Sequence, residues 1–369
     1  MFGFLLAYFV ISSGMHAVVA FRLQHLLPQP LPVRLFFSAF LVLMILCPIL
    51  THLADRGGHH LLATTLAWAG YTWMGFVFVA FCLGIAFALL ELLGAGLRSF
   101  GPDWPPLFSP QTRAALLVGL TLAVLAYGAF EARTIRIEQV RLRSAKLDRD
   151  IVLAQVSDVH LGLLAGDGRV RAIRSHLEAI QPDMVVCTGD LIDSDPRFLT
   201  GLARELRRIK APLGRFAVTG NHETYSGLNR SRQFLMDAGF TVLDDQVWTG
   251  EGLTLAGRSY RHERSCLEEE GLLRDSRPKG FVILLKHSPL VCPESTAHFD
   301  LQLSGHTHKG QIFPFGLVVK AVYPYLAGEF PLEDGALLYV SRGTGTWGPQ
   351  IRFLAPPELT IFTLSPDRG

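Results

Sequence analysis

The sequence is poor in charged residues. Lys, Arg, Asp and Glu make up only 18% of its 369 residues, whereas soluble proteins contain about 25%. The deficit lies in residues 1–130, which contain five Arg, three acidic residues and no Lys. The rest of the chain has 29 basic and 29 acidic residues, an ordinary composition for a water-soluble domain. This uneven distribution predicts a membrane-embedded part followed by a soluble part.

Two further absences exclude other classes of protein. The five cysteines include no CxxC pair, so the sequence has neither a disulfide framework nor a zinc-finger pattern. We expect all five to be small buried side chains in a reducing compartment. They are Cys47, Cys82, Cys187, Cys266 and Cys292. Basic residues form no stripe or dense run, which argues against nucleic acid as a partner.

Four apolar runs occupy the first part of the chain. They lie near 2–21, 35–54, 66–90 and 114–130. A helix needs about 20 apolar residues to cross the hydrocarbon core of a membrane. We therefore predict four transmembrane helices within 1–130, with the lipid bilayer as a partner, and a connector at 131–150. A cleaved signal peptide would also explain the first run, but that run lacks a basic start and an A-x-A-like exit.

Four spans place both ends of the helical region on the same side of the membrane. Seven basic residues lie on the side of the soluble part, and four lie in the loops on the other side. The seven are Arg56, Arg133, Arg136, Arg141, Arg143, Lys146 and Arg149. Because basic residues are retained in the cytoplasm, this count favours a cytoplasmic location for the soluble part of a multi-pass inner (plasma) membrane protein.

From residue 151 onward, short apolar strands alternate with amphipathic helices. The predicted strands are Ile151–Val156, Met184–Cys187, Phe216–Val218, Phe281–Leu285 and Leu301–Leu303. Between them, apolar residues recur at helical spacing, for example Val170, Ile173 and Leu177. Alternation of strand and helix predicts an α/β domain over residues 151–369.

Each of the five strands is followed by a short motif that contains Asp, Asn or His. In chain order the motifs read Ser-Asp-Val-His, Thr-Gly-Asp, Gly-Asn-His-Glu, Lys-His-Ser-Pro and Gly-His-Thr-His. The polar groups are Asp158, His160, Asp190, Asn221, His222, His287, His306 and His308. Sites in open α/β sheets form at the carboxyl ends of the strands. These groups are therefore expected to converge.

Their chemistry points to bound metal. Mixed carboxylate and imidazole ligands suit Mn, Fe or Zn better than Mg or Ca. Seven ligands are too many for one tetrahedral ion, but with one shared carboxylate they can hold two ions about 3.5–4 Å apart. Each motif alone has an ordinary explanation, such as a surface pair for D-x-H or a turn for GD. Five motifs at five strand ends favour the metal site.

The ordered motifs D-x-H, GD, GNHE, KHSP and GHTH resemble the calcineurin-like metallophosphoesterase superfamily. The resemblance extends from Ile151 to the C-terminus, and its later features, such as Ser341–Gly345 and Pro356–Glu358, are similar to a bacterial membrane-linked branch. It implies a two-sheet β-sandwich flanked by helices. One departure is Lys309, where the branch usually has Gly. Lys309 could contact a substrate phosphate or point into solvent.

The resemblance also implies roles for the site residues. Two divalent ions are implied, with Mn favoured over Fe and Zn. The first ion would be held by Asp158, His160, Asp190 and His308. The second would share Asp190 and be held by Asn221, His287 and His306. His222 would be the acid that protonates the leaving oxygen, after attack by a metal-bridged hydroxide.

The substrate is left open by these residues. The first hypothesis is hydrolysis of a phosphoester or pyrophosphate bond in a lipid-linked or nucleotide-linked substrate, such as UDP-2,3-diacylglucosamine, which part of the branch cleaves. The alternatives are a general phosphodiesterase acting on soluble substrates, or a membrane sensor or scaffold with a vestigial site. An intact ligand set argues against the last. No obligate protein partner is inferred.

Asp193 and the basic stretch around Arg258 have two explanations each. Asp193 could support the site or cap a helix. Arg258 and its neighbours Arg261 and His262 could bind phosphate, but a solvated loop is the favoured interpretation.

Overall fold

The computed structural model describes residues 2–28, 30–98, 108–275 and 280–367. The chain divides into two compact units. One consists of Met1–Phe130 with Gly348–Ile351, and the other consists of Glu131–Trp347 with Arg352–Gly369. We describe each unit by itself.

The first unit is built from long apolar helices. Among the described residues, four helices are long and apolar enough to cross a membrane. They are α1 (Phe2–Leu23), α2 (Leu31–Arg56), α3 (His60–Arg98) and α4 (Pro110–Arg133). The four predicted apolar runs lie inside these helices, which extend beyond them. The difference arises because backbone hydrogen bonding continues into polar residues, whereas an apolar run ends at the first charge.

A charged cluster joins three of these helices. The Glu91 carboxylate of α3 accepts hydrogen bonds from Arg22 of α1 at 2.9 Å and from Arg113 of α4 at 2.6 Å. All three side chains are partly buried. Since two cations share one anion here, the cluster fixes how these three helices pack.

The second unit is an α/β domain. Its strands are β1 (Arg136–Ser144), β2 (Ile151–Val156), β3 (Met184–Cys187), β4 (Gly214–Ala217), β5 (Thr241–Val242), β6 (Gln246–Gly250), β7 (Leu253–Gly257), β8 (Phe281–Leu285), β9 (Leu301–Ser304), β10 (Gly328–Pro331), β11 (Leu337–Val340) and β12 (Glu358–Pro366). Its helices are α5 (Asp167–Ile180), α6 (Thr200–Leu206), α7 (Asn221–Tyr225), α8 (Leu228–Asp237), α9 (Cys266–Asp275) and α10 (Phe315–Val322). The strands predicted before the five motifs are all present, with ends that differ by at most two residues.

The strands form two mixed sheets. Within the described residues, one sheet has the order β1-β12-β2-β3-β4-β5 and the other has the order β10-β11-β9-β8-β7-β6. Leu153 and Val186 of the first sheet share a buried core with Leu255 and Ile283 of the second. The predicted two-sheet sandwich is therefore confirmed.

Helices cover the outer faces of the sandwich. In β3, Met184 and Val186 join the core between the sheets, whereas Val185 and Cys187 join the core beneath α5, α6 and α8. This alternation follows from the two-residue period of a strand. Because both faces are buried, the strand is apolar throughout and was recognisable in the sequence.

Residues 131–150 are more than the predicted connector. Strand β1 lies within them and pairs in parallel with β12 over nine residues, from Arg136 with Glu358 to Ser144 with Pro366. Its position at the edge of the sheet leaves much of the strand exposed. A polar edge strand has no strong apolar pattern, so it could not be recognised from the sequence.

Two cysteines differ from their predicted role. Cys266, at the start of α9, forms a disulfide with Cys292 across a sequence separation of 26 residues. The prediction that both are simply small buried side chains was wrong, because a bond between distant residues leaves no spacing signal in the sequence. Cys47 and Cys187 are buried free thiols, as expected.

Candidate metal centre

The loops after β2, β3, β4, β8 and β9 bring the predicted ligands together. The two sheets deliver them from opposite sides, since β2, β3 and β4 belong to one sheet and β8 and β9 to the other. Five of the predicted ligands have a left-handed backbone conformation, with φ between 49° and 71°. They are Asp158, His160, Asp190, His306 and His308. Non-glycine residues rarely adopt this conformation, and its strain is often found at functional sites.

Glycines allow the closest approaches between these loops. A Cβ atom on Gly220 would lie 2.2 Å from Asp190 Oδ1, and one on Gly305 would lie 2.2 Å from Asp158 Oδ2. Both distances are far below van der Waals contact. The glycines in the third and fifth motifs are therefore required for packing against the carboxylates.

One group of candidate ligands consists of Asp158, His160 and His308. Each offers one ligand atom, and these atoms all lie within 4.8 Å of one another. His160 Nε2 lies 3.0 Å from His308 Nε2, and His308 Nε2 lies 3.5 Å from Asp158 Oδ1. All three residues are buried. Their donor atoms therefore surround one small volume.

A second group consists of Asp190, His287 and His306, with Asn221 beside it. The ligand atoms of the three titratable residues also lie within 4.8 Å of one another. His287 Nε2 lies 3.1 Å from Asn221 Oδ1, 3.2 Å from Asp190 Oδ2 and 3.1 Å from His306 Nδ1. Four donors from four loops thus face a second volume.

Asp190 connects the two groups. Its Oδ2 atom lies 3.2 Å from His287 Nε2 in the second group and 3.9 Å from His160 Nε2 in the first. A carboxylate with two oxygens can serve two ions at once, so Asp190 has the position required of a shared ligand.

The charges of the groups fit divalent cations. Burial raises the pKa of Asp158, so its buried carboxylate needs a positive partner. Burial and the neighbouring His287 lower the pKa of His306 to about 3. Burial and the charge of Arg352 lower the pKa of His308 well below its usual value. Neutral imidazoles beside buried carboxylates are the protonation states that metal ions require.

His287 behaves differently. Burial opposes its protonation, but Asp190 outweighs burial and raises the pKa of His287 to about 10. A proton on His287 and a metal ion bound by the Asp190 carboxylate compete for the space between these two side chains. A metal ion that binds His287 at neutral pH therefore has to displace this proton, so lowering the pH should weaken metal binding.

His222 lies beside the two groups and is held by Asp193. Its Nδ1 atom is hydrogen-bonded to Asp193 Oδ1, and its Nε2 atom lies 4.0 Å from Asp190 Oδ2. Burial lowers the pKa of His222, but Asp190 and Asp193 outweigh it and raise this pKa to about 9. Of the two explanations for Asp193, contact with the site fits the structure, since the nearby capping residue is Asp195.

Glu223 is a site residue that the sequence analysis did not single out. Its buried carboxylate accepts hydrogen bonds from the backbone N–H groups of Gly220 at 2.7 Å, Asp190 at 2.9 Å and Ile192 at 3.2 Å. Glu223 thereby ties the loop after β3 to the loop after β4. Its place in the Gly-Asn-His-Glu motif was the available signal.

The basic stretch after β7 has structural partners. Arg258 is buried, contrary to the solvated-loop interpretation, and its Nη1 atom donates to Asp245 Oδ1 at 2.6 Å. His262 Nδ1 lies 2.7 Å from the other oxygen of Asp245. These contacts with Asp245 order the loop. The side chain of Lys309 is exposed.

Aromatic side chains line the centre. The ring centroids of Tyr225 and Trp347 lie 5.5 Å and 6.2 Å from that of His222. Tyr260 lies 6.0 Å from His287, and the Tyr323 hydroxyl lies 3.0 Å from His306 Nε2. Tyr225 and Trp347 are also exposed, so the aromatic rings reach from the buried ligands to the protein surface.

Comparison with known proteins agrees with this geometry. Residues 151–310 match the family described as calcineurin-like phosphoesterase. An uncharacterized metallophosphoesterase of Aquifex aeolicus is 37% identical over 254 residues, which cover 66% of this chain and 97% of the relative. One from Helicobacter pylori J99 is 31% identical over 320 residues, or 83% of each chain.

Two more similarities concern the membrane and the fold. A transmembrane protein with metallophosphoesterase domain from Danio rerio is 30% identical over 69% of this chain and 62% of that protein. Among solved structures, a dimetal phosphatase from Danio rerio covers 53% of this chain and 88% of that chain, with 14% identity and a TM-score of 0.37. The matches to the sequence relatives carry the assignment. The chain belongs to the calcineurin-like metallophosphoesterase family and is a membrane-associated, metal-dependent hydrolase of phosphorylated substrates.

Proposed function

We propose that the chain hydrolyses a phosphoester or pyrophosphate bond at a centre of two divalent ions. Asp158, His160 and His308 would hold one ion and Asn221, His287 and His306 the other, as the sequence motifs predicted. Asp190 would be shared. The observation that supports this assignment is the position of Asp190, whose Oδ2 atom faces a histidine of each group.

When bound by these residues, two divalent ions would supply the Lewis acidity that polarises the phosphoryl oxygens and makes water nucleophilic at neutral pH. Mn is favoured, with Fe and Zn as alternatives, because the donors mix imidazole with carboxylate.

The chain itself would supply the proton for the leaving group. Asp193 accepts from His222 Nδ1–H and fixes the orientation of the ring. The Nε2–H group of His222 is then free to donate its proton to the leaving oxygen as the phosphorus–oxygen bond breaks. This proton transfer neutralises the alkoxide that would otherwise depart, a contribution of about 10²–10⁴-fold in rate.

Metal content and a single substitution test the assignment. The purified full chain should contain about two transition-metal ions per molecule. Asp190→Asn should abolish turnover and lower the metal content while the thermal unfolding profile remains cooperative. Asp237→Asn, an exposed substitution on α8, is the matched control and should leave both unchanged. Full activity of Asp190→Asn would refute the shared-ligand assignment.

The substrate we favour is a lipid-linked phosphate, of which UDP-2,3-diacylglucosamine is one example. Support comes from the four apolar helices, which confine the enzyme to a membrane. The second candidate is a general phosphodiesterase activity on soluble substrates. Turnover of UDP-diacylglucosamine, a phospholipid diester and bis-p-nitrophenyl phosphate by the full chain in vesicles distinguishes them. A preference for the soluble ester over both lipids would exclude the lipid hypothesis.

The compartment of the catalytic domain is a further part of the proposal. The disulfide between Cys266 and Cys292 supports an oxidising compartment, because disulfides rarely persist in the cytosol. Of the seven basic residues counted in favour of the cytoplasm, five lie beyond the start of β1, in the folded domain. Folded domains cross membranes largely regardless of charge. We therefore favour the non-cytoplasmic face of the plasma membrane over the cytoplasmic one.

A further inference from the structure

The helix α10 is unusually apolar for a surface element. Its sequence is Phe-Gly-Leu-Val-Val-Lys-Ala-Val, and it has no buried residue. Leu317, Val318 and Val322 are 66%, 59% and 68% exposed. A helix on the surface of a water-soluble domain normally turns polar side chains outward. This helix turns aliphatic side chains outward instead.

Neighbouring segments extend the apolar face. Phe313, which precedes α10, and Phe315, its first residue, are both exposed. The backbone N–H of Phe313 donates to Phe353 O at 3.0 Å, which places the exposed Leu354 next to this segment. We call the set of exposed side chains the α10 surface: Phe313, Phe315, Leu317, Val318, Val322 and Leu354. Clustered apolar exposure of this kind indicates an interaction site rather than ordinary surface.

The short connection between helix α4 and strand β1 indicates what covers the α10 surface. Strand β1 begins at Arg136, and helix α4 ends at Arg133. Three residues of fully extended chain reach at most about 10 Å. Since α4 is one of the four candidate membrane spans, the catalytic domain is attached within that distance of the end of a span.

The charged residues near the α10 surface also fit a membrane. Lys320 lies within α10, Lys309 precedes it, and both side chains are exposed. Lysines at the border of an apolar face keep their ammonium groups among the lipid headgroups while their aliphatic stems lie along apolar surface. Helices that lie in the membrane interface combine such lysines with aliphatic and aromatic side chains.

We propose that the α10 surface inserts into the interfacial region of the same bilayer that the four helices span. The helix lies in the membrane plane, with Leu317, Val318 and Val322 among the upper acyl chains. Tyr323 directly follows α10, and its hydroxyl lies 3.0 Å from His306 Nε2. Insertion of α10 therefore holds the His306 side of the metal centre close to the lipid headgroups.

Spin labels on the full chain in vesicles test the insertion. Leu317→Cys carries the label, Glu178→Cys on the polar surface of α5 is the matched control, and Cys82→Ser removes a half-buried free thiol from both. The vesicles contain phosphatidylcholine and phosphatidylglycerol. We expect the spin label at residue 317 to be more accessible to oxygen than to a water-soluble nickel chelate. The label at residue 178 should show the reverse.

Two outcomes would overturn the proposal. Equal accessibility patterns at residues 317 and 178 would place α10 in water. Protection of residue 317 from both reagents, with spin–spin broadening between labels, would show that another copy of the chain covers this surface. Retained turnover of bis-p-nitrophenyl phosphate by both labelled proteins verifies that they are folded.

A charge substitution separates docking from catalysis. Leu317→Glu with Val318→Glu should reduce turnover of a phosphodiester lipid in vesicles at least tenfold and leave bis-p-nitrophenyl phosphate turnover unchanged. Met236→Glu, at an exposed apolar position on α8, should change neither. Unchanged lipid turnover in the double variant would contradict a role for docking in substrate access. Wild-type protein inactive on every ester would instead contradict the proposed function while the labelling result stands.

Discussion

Two carboxylates that hold no metal in our assignment support the residues of the centre. Asp193 binds the ring of His222, and Glu223 binds three backbone N–H groups of the loops that carry Asp190 and His222. A metal site depends on such supporting groups, because they fix the orientation of the ligands before the ion arrives.

Asp193→Asn should reduce kcat about 10²-fold and leave KM and metal content nearly unchanged, because it weakens the hold on the proton donor without removing a ligand. The loss should be larger for an ester with an alkyl leaving group than for a p-nitrophenyl ester, which needs little protonation. Steady-state kinetics on both esters measure the difference. Asp195→Asn, which affects a carboxylate paired with Arg197, is the control. Equal losses of kcat on both esters would show that His222 does not donate the proton to the leaving group.

A buried arginine fixes the loops behind the centre. Arg352 is fully buried, and four of the five backbone carbonyl groups to which its guanidinium donates lie within 3.1 Å. These belong to Arg342 at 2.7 Å, Gly345 at 2.5 Å, and His308 and Ala355 at 3.1 Å. Burial lowers the pKa of Arg352 to about 9. Only a planar group with donors on several sides can satisfy carbonyls arranged in this way.

Arg352→Lys should destabilise the chain by about 3 kcal/mol, since a single ammonium group cannot reach all four carbonyls. For a domain of this size, that corresponds to a fall in Tm of roughly 6–12 °C. Differential scanning fluorimetry of the full chain measures it. Arg274→Lys, at an exposed position on α9, is the control. It should change Tm only slightly, because a surface ion pair contributes little to stability. An unchanged Tm for Arg352→Lys would contradict this role.

At the scale of elements, the disulfide fastens α9 to the segment that follows β8. Cys266 begins α9, and Cys292 immediately precedes the 3₁₀ turn Pro293–His298. Near this junction, the buried Lys286 donates to the buried Glu269 of α9 at 2.6 Å. The disulfide and the buried ion pair together order a helix that covers the outer face of the second sheet.

Cys266→Ser with Cys292→Ser should lower the free energy of unfolding by about 3 kcal/mol. The reason is that the disulfide links residues 26 positions apart and so restricts the unfolded chain. Thermal unfolding of the full chain measures the effect. Wild-type protein treated with reductant should unfold at the same temperature as the double variant. A Tm of the wild type that is insensitive to reductant would show that the two thiols are not bonded in solution.

At the scale of the whole molecule, the chain combines a helical unit and a catalytic unit of opposite character. The helical unit turns apolar side chains such as Leu61, Leu92 and Phe130 outward, whereas the catalytic unit buries its apolar side chains in three cores. This contrast follows from their solvents, because lipid tails accept apolar side chains that water excludes.

The proposed non-cytoplasmic position of the catalytic unit can be tested by labelling intact cells from which the cell wall has been removed. Glu178→Cys in a Cys82→Ser background should react with a membrane-impermeant maleimide before the cells are lysed. Arg34→Cys, in the first turn of α2 just after the loop between α1 and α2, should react only after permeabilisation, because four spans place that loop on the other side. The opposite labelling pattern would show that the catalytic unit lies in the cytoplasm, as the count of basic residues predicted.

Much of the candidate centre could be predicted from the sequence because each ligand directly follows an apolar strand. Strands β2, β3 and β8 were located to the residue, since both of their faces are buried. The polar strand β1 and the paired cysteines could not be located in this way, because their partners are more than 20 residues away. Local patterns report burial and do not report which distant segment lies alongside.

By itself, the sequence determined the division into an apolar and a water-soluble part and the α/β class of the latter. Its motifs predicted the ligand groups and, through the family resemblance, the two-sheet sandwich. Tertiary structure alone decided that Asp190 lies between two groups of histidines, that Asp193 holds His222, and that α10 leaves its apolar side chains exposed. The reason is physical. Composition and periodicity specify which side chains avoid water, whereas the distances between loops depend on how two sheets pack face to face.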